Sequence, residues 1–133
     1  MLEIDNTNST IYLTKGDSGV INISLNGDIG NNYSELHFYV RSATQQDNVK
    51  IHITSNVNAL PEEDISAASA AGSIEKVSEN TLENWTLSIA PAATANLKRG
   101  KYVYDFKLTG VGGTGVVTTF VGGGKDKVEF WIT

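Results

Sequence analysis

Hydrophobic residues recur at every second position along much of this chain. The clearest run follows Gly100: Tyr102, Tyr104, Phe106 and Leu108 fall on one face, and Lys101, Val103, Asp105 and Lys107 on the other. A period of two sends alternate side chains to opposite faces, so this run predicts a half-buried β-strand. Its aromatic and branched content agrees. Just before it, residues 91–97 read as one short helical turn, with Pro91 near the first position and Gly100 just past the end. Strand, helical turn, glycine and aromatic strand in that order is how a β-sandwich passes from one sheet to the other. The 102–108 strand is therefore predicted to be central.

The same alternation predicts further strands. Ile4 with Thr10–Thr14 suggests a first, short one. Lys15-Gly16-Asp17-Ser18-Gly19 reads as a turn. Val20–Leu25 follows, with Ile21, Ile23 and Leu25 inward, and residues 26–32 form a loop by composition. Glu35–Arg41 places Leu36, Phe38 and Val40 on the core side, and Val49–Thr54 places Val49, Ile51 and Ile53 there. Ile74–Val77 predicts a short edge strand and Trp85–Ile89 a clear one. Beyond the central strand, 111–115 is a glycine-rich hairpin turn. Val116–Val121 is a strand, 122–126 a turn, and Val128–Ile132 the last strand. Short strands at this spacing fit an all-β, immunoglobulin-like antiparallel sandwich, one domain over 1–133.

The pattern lapses between Ser55 and Ser73. Pro61-Glu62-Glu63-Asp64 leads into an Ala/Ser run that stops at Gly72, which satisfies the signals of a short exposed helix. A loop satisfies the composition equally. A long excursion of this kind in a compact domain is usually functional or disordered.

Composition narrows the chemistry. The chain has 133 residues, a formal net charge of −5 and no cysteine. Thiolate zinc sites, disulfides and a thiol nucleophile are excluded. The acidic balance disfavours nucleic acid, whose phosphates need a basic surface. No apolar run approaches the ~20 residues of a membrane-spanning helix, so no membrane partner is expected. The opening Met1–Asn6 lacks the basic and apolar regions of a secretory signal, which predicts folding in a cytoplasm.

His37 and His52 are the two histidines, and both fall on the outward face of their strands. Pairing of those strands would bring the imidazoles together, but a metal needs further ligands. Glu35 and Asp47 are the available carboxylates, and solvated strand histidines are the preferred reading. The triplet Glu62-Glu63-Asp64 fits a helix start better than a calcium loop, which wants carboxylates at alternating positions. Gly122-Gly123-Gly124-Lys125 lacks the spacing, the hydroxyl residue and the helix of a phosphate loop. No serine sits in a nucleophile elbow. Sequons at Asn22 and Asn84 carry little weight without a secretory signal. Trp85, Trp131, Tyr39 and Tyr12 could form an exposed aromatic platform for sugar, with core or interface packing the preferred use. No catalytic residue, cofactor or metal site is expected.

Two phrases carry a resemblance. Ile11-Tyr12-Leu13-Thr14-Lys15-Gly16-Asp17-Ser18, followed by an alternating strand, is similar to a pattern I-x-L-T-x-G-D-[ST]. That pattern opens small tail and baseplate proteins of phages of Gram-positive bacteria. Leu97-x-x-Gly100-Lys101-Tyr102-Val103-Tyr104-Asp105-Phe106-x-Leu108-Thr109 resembles the same family's L-x-x-G-x-Y-x-Y-D-[IF]-x-L-T, and Phe130-x-Ile132 matches a closing strand. The chain thus resembles the N-terminal, immunoglobulin-like part of baseplate upper proteins. The likeness covers both ends and misses 55–80. It marks Gly16, Asp17, Gly100, Tyr102, Tyr104, Asp105 and Phe106 as structural positions. Physically, Gly16-Asp17 makes a tight turn, and Tyr102 is placed like the tyrosine of a tyrosine corner. That predicts a mostly buried ring with a paired hydroxyl.

The resemblance implies a virion structural or adaptor protein of the tail or baseplate, assembled in the bacterial host cytoplasm. It would act through contacts with other virion proteins and with copies of itself, the 55–73 excursion being an assembly contact. The second class is a carbohydrate-binding or adhesin-type module on the same fold.

Overall fold

The computed structural model describes residues 1–5, 7–24, 33–45, 48–55, 71–78, 81–110, 117–121 and 128–133. Residues 56–70 of the predicted 55–73 excursion, the predicted loop at 26–32, the predicted turns at 111–115 and 122–126, and Leu25 and Asp47 lie outside the described residues. Glu62-Glu63-Asp64 and Gly122-Gly123-Gly124-Lys125 lie outside them too.

The described chain is an all-β sandwich with one short helix. Its strands are β1 (Leu2–Asp5), β2 (Thr10–Leu13), β3 (Gly19–Ser24), β4 (Tyr33–Ser42) and β5 (Val49–Thr54). Next come β6 (Gly72–Ser78), β7 (Thr81–Ile89), α1 (Ala92–Ala95) and β8 (Gly100–Gly110). β9 (Val117–Val121) and β10 (Val128–Ile132) close the series. The larger sheet runs β1-β2-β10-β8-β4-β5, with β9 also pairing β8, and the smaller runs β3-β7-β6. The two sheets make an all-β sandwich.

The aromatic strand is central as the alternation predicts. β8 is flanked by β4 on one edge and by β10 and β9 along the other. Its inward residues Tyr104 and Phe106 pack on Phe38 of β4, with ring centroids 5.8 and 4.9 Å away. Phe130 of β10 lies 6.2 Å from the same ring. Ile21, Ile23, Ile74, Trp85, Leu87 and Ile89 face them from the smaller sheet. Each such side chain, fully buried, contributes roughly 1.5–3 kcal/mol relative to exposure. No cysteine assists, so this packing holds the two sheets together.

The first predicted strand is a hairpin: β1 and β2 pair antiparallel from Leu2↔Leu13 to Asp5↔Thr10. One pair departs from the antiparallel expectation, since β10 runs parallel to β2 in the register Phe130↔Ile11. The chain ends approach each other there, and parallel pairing of distant segments leaves no local turn signal. The 91–97 turn is present as α1, with Pro91 before it. Gly72 opens β6, which is an edge of the smaller sheet, as predicted for 74–77; whether the run before it is helix or loop falls on residues outside the described ones.

Gly16, at φ +81°, makes the predicted turn between β2 and β3, a conformation an L side chain resists. Its N–H donates to Oγ1 of the buried Thr94 at 2.9 Å, tying that turn to α1. Asp17 donates its N–H to the Thr14 carbonyl at 3.0 Å, closing the turn, and its carboxylate meets the Met1 amino group.

Candidate functional site

The two sheets present very different outer faces. On the smaller sheet that face carries Val20, Asn22, Asn84, Ser73 and Glu75, all exposed, with Thr86 and Ser88 half-buried between them. This is an ordinary solvated face of small polar residues. On the larger sheet the outward positions of β4, β5 and β8 carry His37, Tyr39, Arg41, His52, Thr54, Val103, Asp105 and Lys107. Every one of these is buried or half-buried, while Lys101, outward at the start of β8, is exposed. Asp105 and Val103 therefore bury the second face of a strand that alternation marked as half-buried.

Register explains the cluster. β4 pairs β8 with Tyr39 opposite Asp105 and His37 opposite Lys107. β4 pairs β5 with Tyr39 opposite His52, and a register shift between Val40 and Arg41 sets Arg41 opposite Val49. Directly opposed residues on one sheet face lie close enough for side chains to touch. Tyr39 stacks on His52 with centroids 4.2 Å apart and planes at 18°, and His37 stacks on Tyr39 at 6.0 Å. Arg41 lies 4.6 Å and Lys107 5.5 Å from the Tyr39 ring centroid. Cations over an aromatic face are attracted by its quadrupole. Arg41 Nε donates to Asp105 Oδ1 at 2.9 Å, while Lys107 Nζ stands 4.0 Å from Asp105 Oδ2.

The histidines are adjacent but not solvated, which corrects the sequence reading. His37 is 6% and His52 1% exposed. His37 Nδ1 and His52 Nε2 share a hydrogen bond of 2.9 Å, so one imidazole donates and the other accepts. Burial, then the charges of His37 and Arg41, push the His52 pKa down to about 4. Removing charge from water is costly, and a nearby positive charge adds to the cost. Among the described residues no three His, Asp or Glu side chains converge to hold a metal ion. Arg41 and Lys107 beside the pair make the local field hostile to a cation in any case.

The predicted aromatic platform does not assemble as a unit. Trp85 is 3% exposed and packs inside the sandwich from β7, so it is core. Tyr39 belongs to the histidine stack. Trp131 and Tyr12, both half-buried, face each other across the β10–β2 pair. Trp131 Nε1 donates to Glu129 Oε1 at 3.1 Å.

The positions marked by the resemblance serve the frame. Tyr102 makes the corner bond, donating its hydroxyl to the Lys98 carbonyl at 2.7 Å. Its ring is half-buried rather than mostly buried, near the start of β8. The buried tyrosine is Tyr104, whose hydroxyl donates to the Ser9 carbonyl at 2.5 Å. Burial pushes its pKa up to about 12. Ser9 itself has φ +60°, uncommon for a residue with a side chain. Sequence reasoning missed Arg41 as the partner of Asp105. The signal available was a buried-strand aspartate, which needs a cation nearby.

No protein-family model matches the chain, and no curated protein matches it significantly. Among the described residues no helix is long and apolar enough to cross a membrane.

Proposed function

We propose that this chain is a non-catalytic virion structural or adaptor protein, a component of tail or baseplate, working through protein–protein contacts. The observation that carries the reading is the contrast between the two outer sheet faces. A solvated face, like that of β3-β7-β6, needs no ordered side chains. The face of β10-β8-β4-β5 is instead built from stacked rings and paired charges, with Trp131, Tyr39, Arg41 and Lys107 half-buried at its surface. Aromatic residues and arginine held in place lose little entropy on docking and are the common anchors of protein interfaces. The all-β sandwich frame supports the resemblance of the two sequence phrases to baseplate domains.

Its partners in this reading are other virion proteins and further copies of the chain, since repeated copies in a symmetric particle present the same face many times. Assembly would take place in the bacterial host cytoplasm. Mass spectrometry of purified particles from the encoding host tests the setting. Stoichiometric recovery of the chain supports it, and absence from particles while the chain is abundant in the lysate overturns it.

Of the predicted aromatic platform only Trp131 and Tyr12 favour a second reading as a carbohydrate-binding module, because Trp85 is inside the core and Tyr39 lies in the histidine stack. Glycan binding lost on Trp131→Ala would favour it.

A further inference from the structure

A second feature lies at the end of the larger sheet, where it borders the outer face at Lys50 and Lys101. The β4–β5 hairpin, the segment after α1 and the start of β8 enclose an open depression of 580 Å³. Lys50, Lys98 and Lys101 line it, and no carboxylate does among its described lining residues. The chain has ten Lys and Arg against fifteen Asp and Glu. Three lysines lining one concavity of an acidic protein give it a local positive field that favours an anion.

The walls are ordered and polar. Ser42 donates its N–H to the Asn48 carbonyl at 3.0 Å, which closes the hairpin. Ser42 Oγ also accepts the Gln45 N–H at 3.3 Å and lies 3.3 Å from Thr44 Oγ1. Whichever hydroxyl donates within that Ser42–Thr44 pair, the other keeps its hydrogen for a further acceptor. On the facing wall Leu97 donates its N–H to Thr94 at 2.9 Å, and the Tyr102 hydroxyl holds the Lys98 carbonyl at 2.7 Å. The Asn96 amide adds donors and an acceptor, and Leu97 an apolar surface.

We propose that this depression binds an anionic saccharide, a sugar bearing a phosphate or a carboxylate. The lysines act as point charges for the anion. Hydroxyl and amide groups meet the sugar hydroxyls, and Leu97 with the Tyr102 ring meets its apolar face. The volume of the depression falls within the usual range for small-molecule sites, so a sugar fits as well as an ion. The site is independent of the outer-face reading, and either stands without the other.

Backbone amide NMR of the full chain tests it, with glucose 6-phosphate, glucuronate, glucose and inorganic phosphate as probes. Glucose 6-phosphate or glucuronate, at about 10 mM, is expected to move the amides of 42–44 and 96–102. Glucose and inorganic phosphate should bind at least about tenfold more weakly, since each supplies only half of the contacts. Lys98→Glu with Lys101→Glu should weaken the anionic sugars about tenfold or more. Both side chains are exposed, so the thermal midpoint should hold. Lys50→Gln gives a second, milder test in the same direction. Equal binding of glucose and glucose 6-phosphate, equal binding of inorganic phosphate, or full affinity in the charge-reversed protein each overturns the proposal. So does the absence of any shift at the depression with all four probes.

Discussion

His37 Nδ1 and His52 Nε2 lie 2.9 Å apart on the outer face of the larger sheet, buried beside Arg41 and Lys107. Such a bond needs one proton between the facing nitrogens. A second proton there would break the bond, and a charged imidazolium at this spot would stand in a cationic neighbourhood.

Acid should therefore loosen this face. The folded His52 has a pKa of about 4, below its ordinary value of 6.5. Between those values the unfolded chain binds more protons than the folded one, so stability falls as pH falls. The slope from this group approaches about 1.4 kcal/mol per pH unit. Urea unfolding between pH 7 and 5 should show it, before the carboxylates titrate. His52→Gln should flatten the profile in that window; an unchanged slope would mean the pair is not the titrating element.

Asp105 and Arg41 form the other fixed pair of this face, at 2.9 Å with both side chains mostly sheltered. Removing one partner leaves a poorly solvated charge. Asp105→Ala is expected to cost about 2 kcal/mol. In a double-mutant cycle with Arg41→Met, the coupling should exceed the ~0.2–1 kcal/mol of an exposed pair.

Tyr104 links β8 to the β1–β2 turn through the Ser9 carbonyl, 95 positions away. Tyr104→Phe removes the hydroxyl but keeps the ring, and should cost about 1 kcal/mol in chemical denaturation. In alkaline difference spectra this phenol should ionise at about pH 12. Its pKa is raised on folding, so stability is retained below pH 10 and lost as pH climbs towards 12. Tyr104→Phe should remove that part of the alkaline loss.

Gly72 opens β6 at φ +150°, and a Cβ there would stand 2.1 Å from the Ser88 carbonyl oxygen. Gly72→Ala must push β6 away from β7. A loss of about 2 kcal/mol or more is expected. The reduced thermal midpoint should be accompanied by loss of amide protection in β6, while β8 keeps its own.

The frame was legible because its inward residues alternate: Leu36-Phe38-Val40, Ile51-Ile53 and Tyr104-Phe106 all face the core as the pattern predicts. The outer face was not. His37, His52 and Asp105 are polar at outward positions, and alternation alone equates that with solvent. Their shelter comes from cross-strand neighbours, and so from the register of β4 against β5 and β8, which no single strand encodes. Trp85 misled in the opposite sense, since a large ring suits a sugar platform as well as a core until its partners are known. The β10–β2 pair joins segments far apart in sequence, where local signals are silent.

The central claim is that the β10-β8-β4-β5 face is the surface by which this chain is built into a particle. Hydroxyl-radical footprinting tests it directly, comparing Tyr12, Tyr39 and Trp131 in the free chain and in purified particles. Strong protection of Tyr39 and Trp131 in particles, with Val20 of the opposite face labelled equally in both, is the predicted result. Equal labelling of Tyr39 and Trp131 in the two states, or protection confined to the β3-β7-β6 face, would contradict it.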